Sequence, residues 1–170
     1  MPDARVFPSI PTKILLPIDF SPSSKAALEM ATDLALHFHA DLFLVHVIPS
    51  PVMTTADYSV PDVWFPEKLK AQAELHMAKI HAVLKTKGVK SGSGVEVGND
   101  IAGAILEAVD REHIDMVVIS THGISGWRPL IFGSIAEKVV KLVQCPLLLL
   151  RSAKPNPDLK TPSDRTTEWW

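Results

Sequence analysis

Short runs of apolar residues alternate along the chain with longer segments in which apolar residues recur every three or four positions. A short continuous apolar run is typical of a strand that is buried on both faces of a sheet. Such runs occupy residues 13–18, 42–47, 116–120 and 146–150, and residues 93–97 alternate like a half-buried edge strand. The pattern therefore predicts five short strands.

The longer periodic segments predict four helices, because apolar residues three and four positions apart share one helix face. They begin at Pro22, Pro66, Ile101 and Ser134 and end near residues 38, 87, 112 and 143. Ser21 supplies an N-cap just before Pro22, which suits the first helical position.

Alternating strands and helices predict an α/β fold with right-handed crossovers and helices on both faces of a parallel sheet. We expect a single-domain, doubly wound, five-stranded parallel sheet of order 3-2-1-4-5. Ligands of such sheets bind outside the carboxyl ends of the strands, where the strand order reverses. Here that point lies between the first and fourth strands, which lead into Pro17–Asp19 and Ile119–Gly123.

Length and composition limit the possible classes of protein. At 170 residues and 46% hydrophobic content, the chain suits one well-buried domain. We assign residues 12–151 to this domain, 1–11 to a lead-in and 152–170 to a flexible C-terminal tail. A formal net charge of −2 argues against non-specific nucleic-acid binding. No apolar run approaches the roughly 20 residues of a membrane span, and the first residues lack a signal-peptide core.

The single cysteine, Cys145, excludes an intrachain disulfide framework. We interpret it as a small core residue in a protein of the reducing cytoplasm.

The fourth strand is followed by a wide loop and then by a glycine at the start of a helix. Ser120-Thr121-His122-Gly123 ends the strand, nine residues follow, and Gly133-Ser134 precedes the next periodic segment. We expect the glycine to let the backbone turn tightly into the helix. Free N–H groups at a helix N-terminus form a site for anions. A second interpretation is that Ser134 and Glu137 form an S-x-x-E capping box, and the two can hold together.

This spacing resembles the Gly-x-x-Gly-x9-Gly-Ser/Thr signature of the universal stress protein family, with Ser120 in place of its first glycine. The surrounding segments KILLPIDFS, LVHVIP, DMVVISTHG, GSIAEKVV and CPLLLLR agree, and the resemblance covers about residues 12–151. It implies a Rossmann-like fold of the adenine nucleotide alpha hydrolase-like type, adenine-nucleotide binding, a role in stress survival and commonly a homodimer.

The resemblance implies a site for ATP, with Mg²⁺ held largely by phosphates and water. For the nucleoside, it implies that Asp19 and the Pro17-Ile18 backbone meet the ribose or base edge, and that the Val47 backbone reads adenine. Ile119 and Ser120 would form the floor under the ribose and α-phosphate. For the phosphates, it implies contacts from Gly123 and from the backbone N–H groups of Gly133, Ser134, Ile135 and Ala136.

Several candidate residues have simpler explanations. Asp19 can be a turn residue ahead of an N-cap. His122 lacks the nucleophile and carboxylate of a catalytic arrangement, and we interpret it as a loop histidine near phosphate or solvent. Arg128 either reaches phosphate or is solvated. The helical histidines lack the spacing of a zinc pair and are interpreted as surface or boundary residues: His37, His39, His76 and His81.

The sequence therefore favours a nucleotide-binding regulatory module over an enzyme. No residue is assigned a catalytic role and no P-loop occurs, although slow ATP hydrolysis stays open, as does a nucleotide-free dimerisation module. The long loop at residues 49–65 is expected to act as a lid. The strand Pro146–Leu150, with four consecutive leucines at a sheet edge, predicts a homodimer because apolar edges need cover. The competing cover is the tail with Trp169-Trp170.

Overall fold

Strands and helices alternate as the apolar pattern predicts. A computed structural model of the protein describes residues 8, 10–50, 66–121 and 133–151. Within them lie β1 (Lys13–Pro17), α1 (Pro22–Phe38), β2 (Asp41–Pro49), α2 (Pro66–Thr86), β3 (Ser91–Gly98), α3 (Ile101–Arg111), β4 (Met116–Ser120), α4 (Ser134–Leu142) and β5 (Leu147–Leu150). None of these described helices is long and apolar enough to cross a membrane.

The sheet has the predicted order, β3-β2-β1-β4-β5, and all four strand pairs are parallel. β1 lies between β2 and β4, with Leu15 opposite both Phe43 and Val117. The carboxyl ends of these three strands therefore meet at one edge of the sheet. This is the point where the strand order reverses.

Each face of the sheet carries its own hydrophobic core, which explains why the strands are apolar at consecutive positions. Ile14 and Leu16 pack on one face with residues of α1 and α2, such as Leu28 and Ile80. Leu15, between them, packs on the other face with residues of α3 and α4. Successive side chains of a strand point to opposite faces of the sheet. In a strand that is covered on both faces, every position is therefore expected to be apolar.

Two strands are longer than the apolar runs that predict them. β2 and β3 pair over eight residues, from Leu42 opposite Ser91 to Pro49 opposite Gly98. The first half of β3 consists of serine and glycine, whose backbone groups pair normally although their side chains give no apolar signal. A reading of side-chain pattern alone therefore places the start of β3 two residues too late.

The amino end of β1 is fixed by a carboxylate from the turn that precedes β4. Asp115 accepts hydrogen bonds from the backbone N–H groups of Thr12 and Lys13, and from the Thr12 hydroxyl at 2.6 Å. These bonds hold β1 and β4 in register at their amino ends, whereas the predicted ligand site lies at their carboxyl ends.

Candidate functional site

A cavity of about 420 Å³ lies at the carboxyl ends of β1, β2 and β4. It is lined by all the predicted site residues that the structure describes: Pro17, Ile18, Asp19, Val47, Ile119, Ser120, Gly133, Ser134, Ile135 and Ala136. The eleventh, Gly123, lies outside the described residues, as do His122, Arg128 and most of the expected lid. Residues far apart in the chain thus come together where the topology predicts a pocket.

One wall of the cavity was not predicted. Ile101 and Ile105, one turn apart at the start of α3, line it beside Val47 of β2. Helical periodicity places both residues on the inward face but does not say how far along the sheet they lie. The signal that identifies them is their position in the first turns after β3, because helices that follow parallel strands begin at the carboxyl edge. The remaining lining residues are Ser24, Val45, His46, Pro49 and Thr121.

The N-terminus of α4 offers unused hydrogen-bond donors to the cavity. Gly133 is its N-cap, and the Gly133 N–H donates to the Thr121 carbonyl at 2.9 Å. The first N–H that bonds within the helix is that of Glu137, which donates to the Gly133 carbonyl. The backbone N–H groups of residues 134–136 lie between and donate to no described residue. Three donors and the positive end of a helix dipole therefore face the same space.

The neighbouring helix ends at this edge are closed by their own side chains. Ser21 caps α1 by accepting from the Ser24 N–H at 3.2 Å. Asp100 caps α3 by accepting from the Gly103 N–H at 2.9 Å. Among these three helix ends, α4 alone lacks a side-chain cap. The N-terminus of α4 is therefore the one among these three whose N–H groups are not capped by a side chain.

The capping-box interpretation of Ser134 is wrong. Ser134 is the first helical residue rather than the N-cap, and no side chain caps the helix. Glu137 instead pairs with Lys141 at 2.6 Å, one turn further along α4. The residue spacing was right for a box, but the helix begins one residue too early for Ser134 to be its N-cap.

The expected tight turn is not the reason for a glycine at residue 133. Its backbone angles, φ −56° and ψ 143°, are open to any residue. A Cβ atom at this position would, however, lie 3.3 Å from the Thr121 carbonyl oxygen. The glycine thus allows the backbone at residue 133 to approach the backbone at Thr121 closely, next to the N–H groups at the start of α4.

Asp19 belongs to a turn and also lines the cavity. One carboxylate oxygen accepts a hydrogen bond from the Ser21 N–H at 3.0 Å, as in a turn before an N-cap. The same half-buried side chain lines the cavity. The turn therefore fixes an anionic acceptor at the end of β1.

A cluster of aromatic and imidazole rings stands beside Asp19. The Phe20 ring centroid lies 4.7 Å from that of His46 and 5.1 Å from that of His76. Burial lowers the pKa of His46, although its bond to the Ile18 carbonyl and the charge of Asp19 act in the opposite direction. His46 is therefore neutral at pH 7. The sequence does not predict His46 as a site residue, because it stands within an apolar strand.

Comparison with known proteins agrees with this geometry. Residues 11–151 match the sequence profile of the Universal stress protein family. The chain is 30% identical over 146 residues to universal stress protein YxiE of Bacillus subtilis, covering 82% of this chain and 98% of YxiE. The chain belongs to the universal stress protein family. Its Ser120 stands where the family signature has a first glycine.

Solved structures of universal stress proteins share the fold. UspA from Lactobacillus plantarum superposes with a TM-score of 0.70 at 24% identity, covering 82% of this chain and 97% of UspA. A universal stress protein solved in complex with cAMP has a TM-score of 0.61 at 20% identity, covering 85% of this chain and 100% of its own. One from Archaeoglobus fulgidus, in complex with dAMP, gives 0.58 at 18%, covering 81% and 96%.

Proposed function

We propose that this universal stress protein binds ATP in the cavity between β1 and β4 and acts as a regulatory module of the stress response. The observation that carries the proposal is the open N-terminus of α4, where three consecutive N–H groups face a cavity at the strand-order reversal. A phosphate group matches such donors in charge and in geometry. The cAMP and dAMP complexes of structural neighbours support an adenine nucleotide as the ligand class.

The other end of the cavity suits a nucleoside. Ile101 and Ile105 offer an apolar wall to a flat base, beside Val47 of β2. The Asp19 carboxylate offers an acceptor to ribose hydroxyls, which are hydrogen-bond donors. The phosphates then extend past Ser120 towards Gly133. This orientation follows from the chemistry of the two ends of the cavity.

Charge balance gives Mg²⁺ a place in the proposal. Among the described lining residues the only formally charged side chain is that of Asp19, which is anionic. The helix end supplies only about half a positive charge, whereas a triphosphate carries several negative charges. We therefore expect Mg²⁺ to bind with ATP, held largely by phosphates and water.

We propose a binding role rather than an enzymatic one. The sequence assigns no catalytic residue, and His46, which lines the cavity, uses Nδ1 to bond the Ile18 carbonyl at 2.7 Å. Slow hydrolysis of ATP is compatible with this arrangement as a secondary activity. The module would act in the cytoplasm, where ATP is available.

We further propose a homodimer built on β5. This strand is at the edge of the sheet, and its leucines, Leu147–Leu150, are all half-buried. On the preceding helix, Leu142 is 53% exposed. Pairing of β5 with its copy about a two-fold axis would cover these apolar groups in a closed assembly.

Two measurements test the nucleotide proposal. Mass spectrometry of gently purified protein should detect ATP, and calorimetry should measure its binding to the emptied protein. Gly133→Val should abolish binding, because the new side chain crowds the Thr121 carbonyl and blocks the approach of phosphate. Gly98→Val is the matched control, since a Cβ at residue 98 meets nothing within 4 Å. Unchanged affinity of a folded Gly133→Val variant would refute the placement of the site.

A further inference from the structure

The turn that carries Asp19 is fixed by two consecutive residues of the neighbouring strand. The Ile18 N–H donates to the Val45 carbonyl at 2.9 Å. The Ile18 carbonyl is bonded by the His46 side chain, whose Nδ1 lies 2.7 Å away. Val45 and His46 thus hold both polar groups of the residue that precedes Asp19. β1 has already ended at Pro17, so the second of these bonds comes from a side chain instead of the sheet ladder.

The bond to Ile18 defines which ring nitrogen of His46 carries a hydrogen. A carbonyl oxygen can only accept, so Nδ1 must carry the hydrogen. In the neutral imidazole, Nε2 is then the unprotonated nitrogen. His46 is therefore locked in the Nδ1–H form by its backbone partner, and this form can be observed directly.

The residue after Asp19 is held as well, in a conformation that it rarely adopts. Phe20 has φ +59°, in the left-handed region, which is unusual for a bulky side chain. Such a conformation persists only where the surroundings enforce it, and it tends to occur at functional sites. The Phe20 ring contacts His46 of β2 and His76 of α2, at the distances given above. Asp19 is thus flanked by two residues that both contact His46.

We propose that His46 is a positioning residue of the nucleotide site, which holds Asp19 at the cavity wall through its hydrogen bond to Ile18. The inference rests on the proposed function, because it assigns to Asp19 the ribose of an adenine nucleotide. Without the Nδ1–H donor, the turn loses the bond that fixes its path beyond β1. Asp19 then occupies several positions, and the ligand must select one of them on binding.

A pair of variants separates the hydrogen bond from the ring contact. His46→Asn keeps a donor close to the position of Nδ1, whereas His46→Phe keeps an aromatic ring and has no donor. We expect His46→Phe to lower the affinity for Mg²⁺-ATP about fivefold to tenfold, the effect of one lost hydrogen bond, and His46→Asn to stay within about twofold of the wild type. His81→Asn is the control, since that histidine bonds Ser91 and Ser93 of β3 and lies outside the cavity lining.

Calorimetry with Mg²⁺-ATP should be combined with urea unfolding of each variant. If His46 is only structural, both variants lose stability while affinity stays unchanged, and the inference is overturned. Nitrogen-15 NMR of the wild-type imidazoles offers a test that needs no variant, because His46 should show the Nδ1–H form; an Nε2–H form would contradict the geometry. A wild-type protein that binds no adenine nucleotide would instead refute the proposed function.

Discussion

Replacing Ser134 by proline tests whether backbone donors of α4 bind the ligand. Ser134 is the first helical residue, where proline is favoured because its missing N–H has no partner inside the helix. The preceding Gly133, at φ −56° and ψ 143°, already has the extended conformation that a residue before proline prefers. Ser134→Pro should therefore leave α4 intact while it removes one of the three free N–H groups.

The size of the effect follows from the kind of bond that is lost. A hydrogen bond to a charged group contributes about 1.5–3 kcal/mol. Since about 1.4 kcal/mol corresponds to a tenfold change, the affinity for ATP should fall about 10- to 150-fold. Ser134→Ala keeps the N–H and removes only an exposed hydroxyl, so its loss should be clearly smaller.

The assay is calorimetry of ATP binding to the wild type, Ser134→Pro and Ser134→Ala, with circular dichroism and urea unfolding as checks on the fold. Wild-type affinity in a folded Ser134→Pro variant would refute the role of the helix end. An equal loss in both variants would assign the contact to the hydroxyl instead of the backbone.

Two further predictions concern assembly and pH. The double change Leu148→Lys with Leu150→Lys should yield monomers by light scattering, with circular dichroism as the check on folding. A wild-type monomer at high concentration, or a dimer that survives both changes, would contradict the β5 interface. Burial lowers the pKa of His46 and His81 below the ordinary 6.5, with Asp19 opposing and His76 reinforcing the shift at His46. As pH falls below about 6.5 the unfolded chain binds protons that the native state does not, so the free energy of unfolding should decrease. The urea midpoint should thus be lower at pH 5.5 than at pH 7.5, and equal midpoints would refute this.

Apolar runs identify strands that are covered on both faces, and their alternation with helices predicts a parallel sheet. The expected order 3-2-1-4-5 then places the cavity between the first and fourth strands. Asp19 and Gly133 then come together without any knowledge of side-chain packing. That part of the site could be predicted from topology, and the family resemblance adds the ligand class to it.

What the sequence does not predict depends on distances within the fold. The spacing of Ile101 and Ile105 predicts ordinary core residues. They line the cavity only because they lie near the carboxyl ends of the strands. His46 stands in an apolar strand, and the role proposed for it comes from the Ile18 carbonyl, just beyond the end of β1. The capping box failed because spacing cannot decide which residue begins a helix. The misses at Ile101, Ile105 and His46 concern contacts between elements, which the local pattern does not encode.

The open end of α4 sets thermodynamic stability against ligand recognition at one residue. Serine, aspartate or asparagine at an N-cap satisfies helix donors and usually stabilises a helix slightly more than glycine does. At Gly133 such a side chain would occupy donors that an incoming anion needs. Selection for higher thermal stability would therefore be expected to favour substitutions at Gly133 that weaken ligand binding. Glycine at this position is the less stable choice, and it leaves the helix end open for the proposed ligand.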